Sequence, residues 1–280
     1  MKVFVEGVGI AGPGLNGWQA SQPVLAGAAP YIDASVVIPP GDLLPSAERR
    51  RTGLPVKVSL AVGLEAIVNA QRNAAELPAI FASSAGDGEN MHCIFEMLAN
   101  NGREVSPTRF HNSVHNAPSG YWSIATKSME PSTSLACYDE SFVAGLIEAA
   151  TQTLASGNAV VLIAYDATYP LPLHAARPIS ATFGVALVLT GNKTNRSLAE
   201  LEIVISRKSN ASTPIADAEL EAIRVGTPAA RSLPLLAALA TLNSEKPQTP
   251  EKIARDKIAQ AKICFDYIAG NQLNVVVRPC

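Results

Sequence analysis

The chain has few of the residues that announce chemistry. Its 280 residues include only four cysteines, Cys93, Cys137, Cys264 and Cys280, and these are scattered with no CxxC spacing. Such scatter supplies neither a disulfide framework nor a zinc ribbon, so free thiols in a cytoplasmic protein are expected. Charge is sparse as well, at 16% of residues with a net charge of −2. Without a basic excess the dense phosphate contacts of a nucleic-acid binder are missing, and no nucleic-acid partner is expected. The one basic run, Arg49-Arg50-Arg51, sits between proline-rich loops and reads as a solvated loop. No segment approaches the ~20 apolar residues that cross a bilayer, so no membrane span is expected. The opening Met-Lys-Val-Phe-Val-Glu-Gly is interrupted by Glu6 and reads as a strand rather than a signal peptide.

Several catalytic signatures are also absent. There is no GxSxG for a serine hydrolase, no GxxxxGK[ST] for a nucleotide triphosphatase and no HExxH for a zinc protease. His111 and His115 are four apart and would share one face of a helix, but no third and fourth ligand accompany them, so no metal is expected. Gly7-Val-Gly-Ile-Ala-Gly12 does match GxGxxG, and Asp33 lies near the distance of a ribose ligand. Yet Pro13 and Gly14 follow where the motif needs a helix under way. A structural glycine turn is the preferred reading, no cofactor is expected, and a dinucleotide-binding oxidoreductase is kept as a distant alternative.

What is present is a globular composition, 48% apolar, sufficient for one large domain or two closely packed halves. Strands are expected at 3–10, 77–84, 159–165, 183–189, 201–206 and 273–278. Helices are expected near Trp18 with Asn16 as cap, over 59–75 with Ser59 as cap, and over 90–99. Further helices fall at 216–223 and 232–242, and from Thr249-Pro-Glu to about Ile268. The segment 105–117 begins as loop and becomes a short helix, and 120–125 continues as helix or turn. Strands alternating with helices indicate an α/β fold.

The stretch Met129 to Ala150 organises the rest. It reads as a short strand (Ser132 to Cys137), a sharp turn, and a long helix from Ser141 to Ala155. A turn of this kind exposes one side chain at a helix N-terminus, where many α/β enzymes hold a nucleophile.

Over its first 190 or so residues the chain resembles a β-ketoacyl synthase of the thiolase superfamily. The motifs are Val8-Gly-Ile-Ala-Gly-Pro-Gly14 as first strand and turn, and Val105-Ser-Pro to Ile124-Ala125. Pro131-Ser-Thr-Ser-Leu-Ala136 is similar to the strand before the nucleophile, and Leu154-Ala-Ser-Gly157 to the end of the following helix. Phe183-Gly-Val-Ala-Leu-Val-Leu189 is similar to a later apolar strand. The resemblance implies a layered αβαβα fold in a single domain, with 1–190 as the synthase-like part and 191–280 as a shortened C-terminal part.

The departures shape what it implies for function. Counting forward from Pro131, the family's cysteine position falls on Asp139; counting back from Gly157, it falls on Glu140. Cys137 precedes both. The family's two C-terminal histidines are missing, since no histidine follows His174. A synthase-like chain with these losses looks like a chain length factor, in the short form similar to those of aryl polyene type II polyketide synthases. That resemblance implies a non-catalytic subunit paired with an active ketosynthase, transient contact with an acyl carrier protein, and no catalytic residue of its own. Phe110, Ser113, Val114 and Asn116 would face the partner's acyl tunnel, and Ser134 and Ala136 would lie on the strand along the dimer. An active β-ketoacyl-[acyl-carrier-protein] synthase using Cys137 is the alternative.

Overall fold

The computed structural model describes residues 1–40, 42–100, 104–244 and 260–280. Among them, nine strands form one mixed sheet: β1 (Lys2–Gly12), β2 (Leu15–Asn16), β3 (Ala79–Ala82), β4 (Ser132–Leu135), β5 (Val160–Asp166), β6 (Phe183–Thr190), β7 (Ala199–Arg207), β8 (Ala261–Tyr267) and β9 (Asn271–Pro279). The order is β4-β3-β5-β6-β1-β7-β9-β8, with β2 folded back on β1. β4, β3 and β5 are mutually parallel, and the other pairings are antiparallel. The helices are α1 (Trp18–Leu25), α2 (Ser46–Arg49), α3 (Leu54–Asn69), α4 (Gly88–Ala99), α5 (Pro107–His111), α6 (Ala117–Thr126), α7 (Ser141–Ser156), α8 (Leu173–Ala176), α9 (Ala218–Gly226) and α10 (Leu233–Ser244).

β1 is buried on both faces, as a near-continuous apolar run requires. Val3, Val5, Val8 and Ile10 join the core that holds α7 and α10. The other face meets α3, and there the chain places Gly7 and Gly9. A Cβ at Gly7 would run into the Ala66 carbonyl, and one at Gly9 into the Val62 carbonyl, so only glycine lets helix and strand approach this closely. Both glycines lie inside an eleven-residue strand, not in a loop that opens a helix. The GxGxxG match is therefore a packing feature and gives no support to dinucleotide binding.

The sheet is not flat. β3 and β8 stand six strand positions apart, which would be about 29 Å in a flat sheet. Yet α7 contacts β3, β5 and β8 together, although a helix with its side chains is only about 10–12 Å across. The sheet must curl about β1 and β7 so that its two flanks enclose α7. Phe142 of α7 meets Phe265 of β8 edge-on, with ring centroids 5.8 Å apart. α3 and α6 cover the outer face, where Trp122 packs edge-on against Phe81 at 6.1 Å and closes over Gly63.

Several expected boundaries move for identifiable reasons. α3 starts at Leu54, with Pro55 in its first turn, so Ser59 is an interior residue whose hydroxyl donates to the Val56 carbonyl (2.9 Å) rather than a cap. Asn16 does not cap α1. Its Oδ1 accepts from the Val37 N–H (2.9 Å), while the Glu65 carboxylate accepts the first N–H of α1, from Trp18 (2.5 Å), and that of Ile10 (2.9 Å). Burial outweighs these two bonds and pushes the Glu65 carboxyl up. β7 pairs with β1 and β9. The helix expected from Thr249 begins outside the described residues, but its expected end is strand β8, paired Ala261↔Val277 to Tyr267↔Asn271 with β9.

Candidate functional site

The three parallel strands β4, β3 and β5 end side by side, and ligand sites in α/β sheets favour the carboxyl ends of such strands. After β4 the chain runs through Ala136 and Cys137 into a 3₁₀ turn, Tyr138–Glu140, and directly into α7. One side chain fastens this turn: the buried Ser141 hydroxyl accepts from the Cys137 N–H (2.9 Å) and donates to the Tyr138 carbonyl (2.8 Å). The residue with left-handed backbone is Tyr138, at φ 50°, and it is 61% exposed. An aromatic residue at such φ is uncommon and marks a constrained position.

The turn is ringed by ion pairs. Asp139 Oδ1 accepts from Arg177 at 2.7 Å and its Oδ2 meets Arg231 at 3.0 Å, while Glu140 lies 3.7 Å from the same Arg231. The Arg177 guanidinium also stacks 3.6 Å over the Tyr138 ring. Cys137, half-buried beside this cluster, has its thiol pushed up by burial and by the charge of Glu140, which disfavours the thiolate.

A second buried group fixes the arginines' platform. Asp166, at the end of β5, accepts from the Ser84 N–H (2.9 Å), the Ser84 hydroxyl (2.7 Å), the Ser83 hydroxyl (3.4 Å) and the Ala229 N–H (2.9 Å). It thereby ties the end of β3 to the 3₁₀ segment Pro228–Ser232, which carries Arg231. Burial pushes the Asp166 carboxyl up, against the pull of these donors.

The remaining sequence candidates fall into two groups. Ser134 and Ala136 lie on or just after β4, which pairs with β3 alone and leaves its other edge open among the described residues. Ala136 is exposed, and the Ser134 hydroxyl is buried without a protein partner. Phe110 lies in α5, and Ser113, Val114 and Asn116 fall between α5 and α6. Phe110 is 70% exposed, and the Ser113 hydroxyl donates back to the Phe110 carbonyl (2.8 Å). Val114 and Asn116 line a cavity of about 270 Å³ with His111, Tyr121 and Ile124, which Phe110 and Ser113 do not touch. α5 ends at His111, so His115 does not share its face; its Nε2 lies 3.2 Å from the Ser83 carbonyl. Among the described residues no group of three or more His, Cys, Asp or Glu could hold a metal. Sequence inspection missed Tyr138, Arg177, Arg231 and Asp166. The arginines carried no local signal, being 38 residues and more from their carboxylate partners in the chain.

A strand, a turn with one residue at positive φ and a helix at the ends of parallel strands form an elbow of the kind where many α/β enzymes hold a nucleophile. Residues 18–244 match the family described as "Beta-ketoacyl synthase, N-terminal domain", and the chain belongs to that family. No curated protein sequence matches it. Among solved structures it is similar to the ketosynthase (ApeO) in complex with its chain length factor (ApeC) from Xenorhabdus doucetiae, at 20% identity over 98% of this chain and 99% of that one, TM-score 0.69. It is also similar to the ishigamide ketosynthase/chain length factor, at 14% identity over 100% and 99%, TM-score 0.72. A third match is AntDE:AntF, a type II polyketide synthase acyl-carrier protein in complex with its hexaketide-bound ketosynthase, at 13% identity over 100% and 99%, TM-score 0.71. The mixed α/β architecture is thus that of ketosynthases. Among the described residues no helix is long and apolar enough to cross a membrane.

Proposed function

We propose that the protein is a non-catalytic chain length factor subunit, which forms a heterodimer with an active ketosynthase and shapes its acyl tunnel. The pathway class is type II polyketide synthesis of the aryl polyene kind, or a fatty-acid-like relative, in the cytoplasm. The observation that carries this reading is the elbow between β4 and α7, which keeps the shape of a nucleophile site without its chemistry. Condensation needs a thiolate to accept the acyl chain. Here the nearby Cys137 thiol is pushed up, and Asp139 is held by two arginines. No histidine follows His174 to stabilise a developing enolate.

Two surface features favour a partner. β4 offers an open edge to a strand across an interface. Phe110, Val114, Ile124 and Met129 are large apolar residues exposed in the segments leading to it. The acyl carrier protein would be a transient visitor to the complex, as one is bound in the AntDE:AntF assembly.

Co-expression with ketosynthases, followed by size-exclusion chromatography, tests the assignment. A stable one-to-one complex is expected; a monomer that ignores every ketosynthase offered sinks it. Within such a complex Ser113→Phe or Val114→Phe should shorten the product, and unchanged length with an intact complex removes these residues from the tunnel. The second reading, an active synthase using Cys137, is favoured by the family match and by the position of Cys137 one residue before the turn. It requires an acyl adduct on Cys137 after incubation with acyl-carrier-protein substrate, and a clean mass spectrum beside a loaded partner counts against it.

A further inference from the structure

The left-handed backbone at Tyr138 has a cost and a set of restraints. A side chain with a Cβ is disfavoured in that conformation, and such strain persists where the surroundings over-determine it. Ser141 clamps the backbone on both sides of the residue. Arg177 lies 3.6 Å over the ring, Asp139 holds Arg177 at 2.7 Å, and Arg231 holds Asp139 at 3.0 Å. For all this restraint the residue stays mostly exposed, so the strain does not serve core packing. The neighbouring candidates are otherwise engaged. Asp139 and Glu140 face arginines, and Cys137 lies before the turn with its side chain half-buried.

Resting on the partner-subunit reading above, we propose that Tyr138 stands where an active synthase presents its thiolate, and that the Arg177–Asp139–Arg231 chain fixes its ring there as a stop against a growing acyl chain. The position opens the 3₁₀ turn that leads into the 16-residue α7, whose N-terminal dipole would favour a thiolate there. A phenol there is no acyl acceptor without a base to activate it. The Arg177 guanidinium over its ring cannot act as a base. The flat apolar face of the ring suits contact with a hydrocarbon or polyene end.

The chain alone provides the first test, with iodoacetamide as the probe between pH 5 and 9 and peptide mass spectrometry as the readout. The thiol introduced by Tyr138→Cys should titrate below the ordinary cysteine value of about 8.5. One unit of depression raises the thiolate fraction about tenfold and lowers intrinsic nucleophilicity about threefold, so alkylation at pH 6.5 should run roughly threefold faster than that of a cysteine in a short unstructured peptide. A pKa at or above the ordinary value, with no rate advantage, overturns the apex assignment. Should that variant not fold, Tyr138→Gly decides. Glycine suits the left-handed backbone, so its melting temperature should match or exceed that of the wild type. A fall of more than about 4 °C, roughly 1–2 kcal/mol in a chain of this size, shows the ring to be structural packing and overturns the stop. Neither measurement needs a partner, so a failure here is separate from a failure to form the heterodimer. In the purified complex, Tyr138→Ala should lengthen the product by at least one extension unit, and unchanged length with the complex intact refutes the stop alone.

Discussion

Asp166→Asn isolates the buried carboxylate that joins β3, β5 and the Arg231 segment. The substitution preserves shape and removes one acceptor. In the wild type Oδ1 takes the Ser84 N–H at 2.9 Å and Oδ2 takes the Ala229 N–H at 2.9 Å, on opposite sides of one carboxylate. An amide can offer oxygen to only one of them, and its NH₂ then confronts the other donor. The serine hydroxyls can rotate; the backbone N–H groups cannot. One orphaned buried donor costs about 1–3 kcal/mol, and the facing NH₂ adds to that, so a loss of about 2–3 kcal/mol is expected. Asp166→Ala orphans both backbone donors and should lose more, about 3–5 kcal/mol. Urea unfolding measures both, and an unchanged slope confirms that the midpoint shift is stability. The pH dependence has a definite sign. Burial raises the folded-state pKa of Asp166 above its unfolded value, so its contribution is fully present below the unfolded pKa and is lost as pH rises through the folded one. The stability gap between wild type and Asp166→Asn should therefore widen as pH falls. A gap under about 0.5 kcal/mol at neutral pH, the range of neutral surface changes, or one that narrows on acidification, refutes the account of this residue.

Other outcomes follow from single contacts. Gly9→Ala sets a methyl against the Val62 carbonyl of α3, and because backbone cannot swing aside, a loss of at least about 2–3 kcal/mol is expected by thermal unfolding. Glu65→Ala removes the acceptor for the Trp18 N–H; a cost of about 1–2 kcal/mol is expected, as for a lost helix cap, with a red shift in tryptophan fluorescence as α1 frays. Cys137 should react slowly with iodoacetamide at pH 7 and faster as pH rises past the ordinary thiol range, since burial and Glu140 both raise its pKa. Glu140→Gln removes one of those causes, lowers the pKa and should speed the reaction at pH 7.

The α/β alternation was legible because its signals are local. Apolar runs at 3–10, 159–165 and 183–189 are long, continuous and bounded by turn residues, and each became a central strand. β8 was not legible, because Ala261-Lys-Ile-Cys-Phe-Asp-Tyr267 follows a strong helix-start signal at Thr249 and only its pairing with β9 identifies it as a strand. Helix caps failed for a related reason. Asn16 and Ser59 have suitable side chains, but the acceptor for α1 comes from Glu65, on a helix 47 residues away in the chain.

At the turn after β4 the limit is different in kind. Counting residues from Pro131 and from Gly157 presumes that the intervening backbone has uniform geometry, and the two counts disagree by one residue. The actual path inserts a 3₁₀ turn, Tyr138–Glu140, between strand and helix, and puts the left-handed residue at its first position. Spacing cannot register that, since φ at Tyr138 is fixed by Ser141 below and by Arg177 above. Both restraints follow the turn in sequence, one local and one from the loop after β5. An elbow of this kind depends on the sign of one backbone angle and on who enforces it. The enforcing groups here are cations paired with Asp139, where a condensing site would need a base and a thiolate. On the partner-subunit reading proposed above, that difference leaves the scaffold its shape while the residue at its apex takes a different task.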